Sequence, residues 1–117
     1  MTHYQPGLHI LAQFTAPVPG LTNATACKAH FDRLIGELGL VNVGEVYHVF
    51  PNGGFTATLC LTESHVAIHT WPEFGLATFD VFLSNFRHDN HEKVRRMYAG
   101  TLLFFDGTEQ SKSELLR

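Results

Sequence analysis

The 117-residue chain is 44% hydrophobic and 16% charged, a balance that suits one domain with a single core. Net charge is −3 and the eight Lys and Arg residues are scattered, so no basic stripe is offered to phosphates and nucleic acid is not an expected partner. No cationic and apolar leader opens the chain and no apolar run approaches the roughly 20 residues that cross a bilayer. A cytoplasmic protein with no membrane partner is expected.

Leu8, Ile10, Ala12 and Phe14 alternate with His9, Leu11 and Gln13, which predicts a strand over 7–15 ended by the turn at Pro17 to Gly20. Asn23 can cap a helix in which Cys27, Phe31, Leu34, Ile35 and Leu38 share one face, and Gly39 can close it. Residues 41–50 and 54–62 read as a hairpin around Pro51-Asn52-Gly53, its second arm dividing Phe55, Ala57, Leu59 and Leu61 from Thr56, Thr58, Cys60 and Thr62. Strands are expected at 65–70 and 76–84, joined across Trp71 to Gly75.

Asp89 and Glu92 have capping-box spacing before a short helix carrying Val94, Met97 and Tyr98. Gly100 is read as its end and Thr101 to Phe105 as a last strand. The order β-α-β-β-β-β-α-β implies an α+β fold: a two-layer sandwich with a mainly antiparallel sheet and helices on one face. Cys27 and Cys60, one in a helical and one in a strand pattern, are expected to be buried free thiols.

Eight histidines invite a metal reading, with His65–His69 and His88–His91 as the pairs to test. Val66, Ile68 and Thr70 favour a strand, where four residues span about 13 Å, too far for two imidazoles to share a zinc with bonds near 2 Å. His88 and His91 flank a helix start and are expected to be solvated, so no metal is expected. Ser64, His69 and Asp80 supply the residue types of a hydrolytic triad, but no strand-to-helix elbow follows the serine. Residue types alone leave Ser64 open between a turn hydroxyl and a nucleophile.

The stretch ESHVAIHTWPEFG, residues 63–75, resembles the processing-site motif of the prokaryotic S-adenosylmethionine decarboxylases, and the likeness continues through GLHILAQF, the YHVF of residues 47–50 and the ATFDVF strand. It covers most of residues 7–85. The resemblance implies that Ser64 is consumed: its hydroxyl attacks the Glu63 carbonyl, the peptide becomes an ester, and elimination followed by hydrolysis leaves a pyruvoyl group. Residues 1–63 would form a β chain and 64–117 an α chain. The ketone so made is the covalent cofactor, forming a Schiff base with a substrate amine and accepting electrons as carbon dioxide leaves.

By the same resemblance His69 assists processing by proton transfer, Phe50 stacks on adenine and Glu73 holds the ribose hydroxyls. Trp71 is expected to pack rather than to line the pocket. Two positions depart from the family pattern. Thr56 replaces a processing serine and keeps its hydroxyl, while Ser84 stands where the family has a cysteine that returns a proton to the product carbon. The expected function is S-adenosylmethionine decarboxylation in polyamine (spermidine) biosynthesis by a homodimer. The alternatives are the same chemistry on arginine or ornithine, and a non-catalytic regulatory homologue.

Overall fold

The computed structural model describes residues 3–85 and 88–117. Alternation in the first segment produces β1 (Leu8–Thr15), which turns Leu8, Ile10, Ala12 and Phe14 into the core. A single helical turn, α1 (Val18–Leu21), follows where only a turn was expected. Asn23 caps α2 (Ala24–Glu37) by accepting the Ala26 N–H at 3.0 Å, and Cys27, His30, Phe31, Leu34 and Ile35 are its buried residues. The capping oxygen satisfies one of the N–H groups that a helix start leaves without a partner.

The hairpin forms as β2 (Asn42–Val49) and β3 (Phe55–Leu61), followed by β4 (Ser64–Trp71), a 3-10 turn at Pro72–Phe74 and β5 (Leu76–Leu83). After β5 come α3 (His91–Phe105) and β6 (Thr108–Leu116). The strands lie in the order β2-β3-β4-β5-β1-β6, and every neighbouring pair is antiparallel. Phe31 of α2 stacks on Phe79 of β5 at 6.1 Å, and Phe79 stacks on Tyr98 of α3 at 6.3 Å, which fixes both helices to one face. Burying side chains of this size stabilises by roughly 1.5–3 kcal/mol each. The α+β sandwich inferred from the element order is the fold observed.

The C-terminal third departs from expectation. Gly100 does not end α3; it lies inside the helix, and an added Cβ would stand 3.3 Å from Leu34 Cδ1 of α2. The glycine lets two helices approach. Thr101 to Phe105 is therefore helix rather than strand, with Val94, Met97, Tyr98, Thr101 and Phe105 forming one buried face at helical spacing. The last strand is β6, exposed along its whole length and paired to β1. Cys60 is also corrected: it is exposed on the face away from the helices, whereas Cys27 is buried with its thiol pushed up to about 12 by that burial.

Candidate active site

The predicted site residues fall into two groups at opposite ends of β4. At its C-terminal end a cleft of about 330 Å³ is lined by Phe50, Asn52, Thr56, His69, Trp71 and Glu73, among others. Antiparallel register sets Thr56 directly opposite His69, and Thr56 Oγ1 lies 3.0 Å from His69 Nδ1. A tight turn after β2 presents Phe50, its carbonyl accepting the Gly53 N–H at 2.9 Å and its own N–H donating to Gly54 at 2.7 Å. Glu73 sits in the 3-10 turn, where Asn52 Nδ2 donates to its carboxylate at 3.3 Å. Phe50 is 44% and Trp71 43% exposed, so neither is a core residue, and Trp71 lines the cleft instead of packing away from it.

At the other end, a two-residue turn joins Leu61 to its partner Ser64. Ser64 has φ 146°, a region almost confined to glycine that costs a residue with a side chain on the order of 1–3 kcal/mol. The preceding Glu63 carbonyl accepts the Ser84 N–H at 2.7 Å. Asn90, which is 0% exposed, donates through Nδ2 to the Ser84 carbonyl at 2.7 Å and to Glu63 Oε2 at 3.4 Å. Glu63, Ser64, Ser84 and Asn90 thus form one bonded group around the bond between Glu63 and Ser64.

A third cluster lies beside this junction on the face away from the helices, in the row where His9, Phe82 and His65 stand in register. Asp80 Oδ2 is 3.1 Å from His9 Nε2 and 3.7 Å from His65 Nε2. Arg117 Nη1 lies 3.4 Å from His9 Nδ1. A guanidinium can only donate, so His9 Nδ1 is the acceptor and Nε2 carries the hydrogen given to Asp80. The ligand atoms of His9, His65 and Asp80 lie within 4.8 Å of one another, a spacing that sequence separation does not reveal because they come from three strands. His65 and His69, the pair suggested by spacing, both lie on β4, where four strand residues keep them about 13 Å apart, too far for their rings to share an ion.

The triad of Ser64, His69 and Asp80 is not assembled. Asp80 stands opposite Ala67 and bonds His9, while His69 stands opposite Thr56 and Thr78. Five residue steps along the strand take Ser64 to His69, about 16 Å at roughly 3.3 Å per step. His9, His65, Asn90 and Arg117 are absent from the residues predicted for the site. Alternation alone puts His65 and Asp80 on the open face, but only the register brings them to His9.

The family profile described as S-adenosylmethionine decarboxylase matches residues 8–111. The chain belongs to that family. It is 35% identical over 77 residues to the S-adenosylmethionine decarboxylase proenzyme of Archaeoglobus fulgidus, covering 65% of this chain and 69% of the relative. The proenzyme of Fervidobacterium nodosum is 36% identical over 77 residues, covering 65% of this chain and 56% of the relative. That of Pyrobaculum islandicum is 54% identical over 48 residues, covering 41% and 38%. The matched stretch thus covers about two thirds of one relative's length, little more than half of another's and well under half of the third's. The crystal structure of the adenosylmethionine decarboxylase from Aquifex aeolicus superposes with a TM-score of 0.78 at 24% identity over 98% of this chain and 91% of that one, which establishes the shared fold. The match bears out the family recognised from the motif. No helix among the described residues is long and apolar enough to cross a membrane.

Proposed function

We propose that this chain is a self-processing, pyruvoyl-dependent S-adenosylmethionine decarboxylase of polyamine biosynthesis whose active sites are each completed by two copies of the protein. The observation that carries this reading is the separation of the site into two halves. Ser64, Ser84 and Asn90 surround the bond to be rearranged, while Thr56 and His69, the groups suited to move its protons, lie about 16 Å away along the same strand. One copy cannot bring them together. A second copy laid against the open face in the opposite direction sets each junction beside the other's cleft.

The junction suits the conversion of Ser64. Its strained φ raises the energy of the starting peptide, and the Ser84 N–H is already aimed at the carbonyl oxygen that becomes charged when the hydroxyl adds. A pyruvoyl group at residue 64 supplies a ketone that condenses with the substrate amine and draws off electrons as carbon dioxide leaves. The cleft suits the rest of the substrate. Phe50 and Trp71 offer faces to an adenine, and the Glu73 carboxylate, steadied by Asn52, can accept hydrogen bonds from two ribose hydroxyls. A basic amino acid has neither ring nor ribose to use them.

Complementation tests the reading. Neither Ser64→Ala nor His69→Ala alone should give active protein, but a mixed dimer of the two restores one complete site and should cleave its Ser64-bearing chain and decarboxylate S-adenosylmethionine. Placing both substitutions in one chain and mixing it with wild type leaves no complete site in the hybrid. Activity in that second hybrid, or a strictly monomeric active protein, would show that each chain holds its own site.

A further inference from the structure

Asn90 occupies the N-cap of α3, where an asparagine oxygen ordinarily accepts an N–H from the first turn, yet its side chain makes no capping bond. Both hydrogens of its amide instead point backwards. One goes to the Ser84 carbonyl at 2.7 Å and the other to the Glu63 carboxylate at 3.4 Å. Two acceptors settle which end of the amide faces them, because only the nitrogen can donate. Its backbone N–H meets Asn85 Oδ1 at 2.8 Å, so the residue is tied from both sides to the segment that holds Ser84. A fully buried side chain has been taken from the helix end and spent on the junction.

We propose that Asn90 is a positioning residue for self-processing: by gripping the Ser84 carbonyl and the Glu63 side chain, it holds the Ser84 N–H on the Glu63 carbonyl oxygen. This inference rests on the processing reading above. In the step concerned, Ser64 Oγ bonds to the Glu63 carbonyl carbon, the oxygen of that carbonyl takes the negative charge, the carbon–nitrogen bond breaks, and the Ser64 nitrogen takes up the hydroxyl proton. Charge appears on the atom that the Ser84 N–H faces. Peptide groups displaced by an ångström lose much of such stabilisation, since about 1 Å of misplacement costs on the order of 10²-fold in rate.

The decisive variant is Asn90→Ser, because serine is an equally good N-cap but its side chain is too short to span both acceptors. Purified full-length wild type and Asn90→Ser are followed for separation into fragments 1–63 and 64–117, with thermal midpoints measured alongside. The variant should keep or raise its midpoint while separating about 10 to 10²-fold more slowly. Hydroxylamine supplies a second readout: it opens an ester at residue 63 and releases fragment 64–117 with serine still at its N-terminus. A defect before the ester lowers the fraction so trapped; a general loss of stability leaves that fraction unchanged. Wild-type rate and trapping in Asn90→Ser would overturn the role of Asn90 while leaving self-processing intact. A wild type that stays one chain overturns the processing reading, and this inference with it.

Discussion

Thr56 Oγ1 and His69 Nδ1 face each other across the β3–β4 ladder at 3.0 Å, at a position where the two residues are register partners. The contact is set by the backbone and needs no loop to hold it. If the threonine hydroxyl donates to Nδ1, the imidazole carries its hydrogen on Nε2, the nitrogen left for the cleft. Thr56→Ser should preserve chain separation, whereas Thr56→Val, of the same shape but without the hydroxyl, should slow it about 10-fold or more. His69→Ala should slow it by about 10² to 10⁴-fold, the usual contribution of a general acid or base. Timed denaturing gels of freshly expressed protein measure all three. Equal rates in Thr56→Val and wild type would remove the hydroxyl from processing.

Phe50 and Glu73 separate binding from processing. Both line the cleft, neither touches the Glu63–Ser64 junction of its own chain and neither is asked to move a proton in processing, so Phe50→Ala and Glu73→Gln should form the two chains at the wild-type rate. Stacking of a base on an aromatic ring is worth about 1–3 kcal/mol, which corresponds to a roughly 5- to 150-fold weakening in Phe50→Ala. Titration with an adenosine thioether that lacks the reactive amine isolates this effect from turnover. Since Phe50 is substantially exposed, its removal should not unfold the protein. Unchanged affinity in both variants counts against an adenosyl pocket.

The sheet was legible because its strands bury one face: Phe55, Ala57, Leu59 and Leu61 are buried and alternate as the period of 2 requires. Asn23 was legible as a cap because its side chain caps. What failed at the C-terminus failed for physical reasons. Thr101 to Phe105 is an apolar run too short for period to decide between strand and helix, and Gly100 looks like a stop until the Leu34 side chain packed against it is known. The β6 strand has no buried face, so nothing in its alternation marks it. Within the site, ESHVAIHTWPE marks the serine and histidine, and the roughly 16 Å between them follows from their being on one strand. The His9–Asp80–His65 group needs the pairing of β1 with β5 and of β5 with β4, a long-range fact that local pattern does not contain.

His30 gives the fold a specific acid sensitivity. It is 3% exposed on α2, within 3.1 Å of Thr101 Oγ1 and stacked on Phe104 of α3 at 4.4 Å. Burial, with the nearby Arg33 charge, pushes its pKa down to about 4 from an ordinary 6.5. The unfolded chain therefore binds this proton before the folded one does, and stability rises with pH between those values. The contribution of neutral His30 is full above about pH 6.5, falls as pH drops toward 4 and is gone below it, on the order of 3 kcal/mol in all. His30→Gln keeps a neutral hydrogen-bonding group and should flatten that part of the profile. Urea unfolding at pH 4.5 and 7 compares the two proteins, and parallel losses in both would assign the acid sensitivity to carboxylates elsewhere.

Under the proposed function, Ser84 sets the expected speed of turnover. In the proposed reaction, once carbon dioxide has left, a proton must be delivered to the substrate α-carbon, and delivery to the pyruvoyl carbon at residue 64 instead would convert its keto group to an amine and end activity. An unperturbed hydroxyl is a far weaker acid than a thiol with pKa near 8.5. Its N–H is already committed to the Glu63 carbonyl, a bond that does not depend on the side chain. Ser84→Cys should accordingly leave chain separation unchanged and raise turnover of S-adenosylmethionine, with a ceiling of about 10² to 10⁴-fold. The wild type should also lose activity during turnover, its 64–117 fragment gaining about 1 Da as the keto oxygen is exchanged for an amine, and the cysteine variant should do so less. Rates and fragment masses taken together decide the matter. A fast, durable wild type unaffected by the cysteine means that another group, with the nearby His65 and His9 first to be substituted, delivers the proton; turnover of arginine or ornithine in place of S-adenosylmethionine means that the cleft has been reassigned.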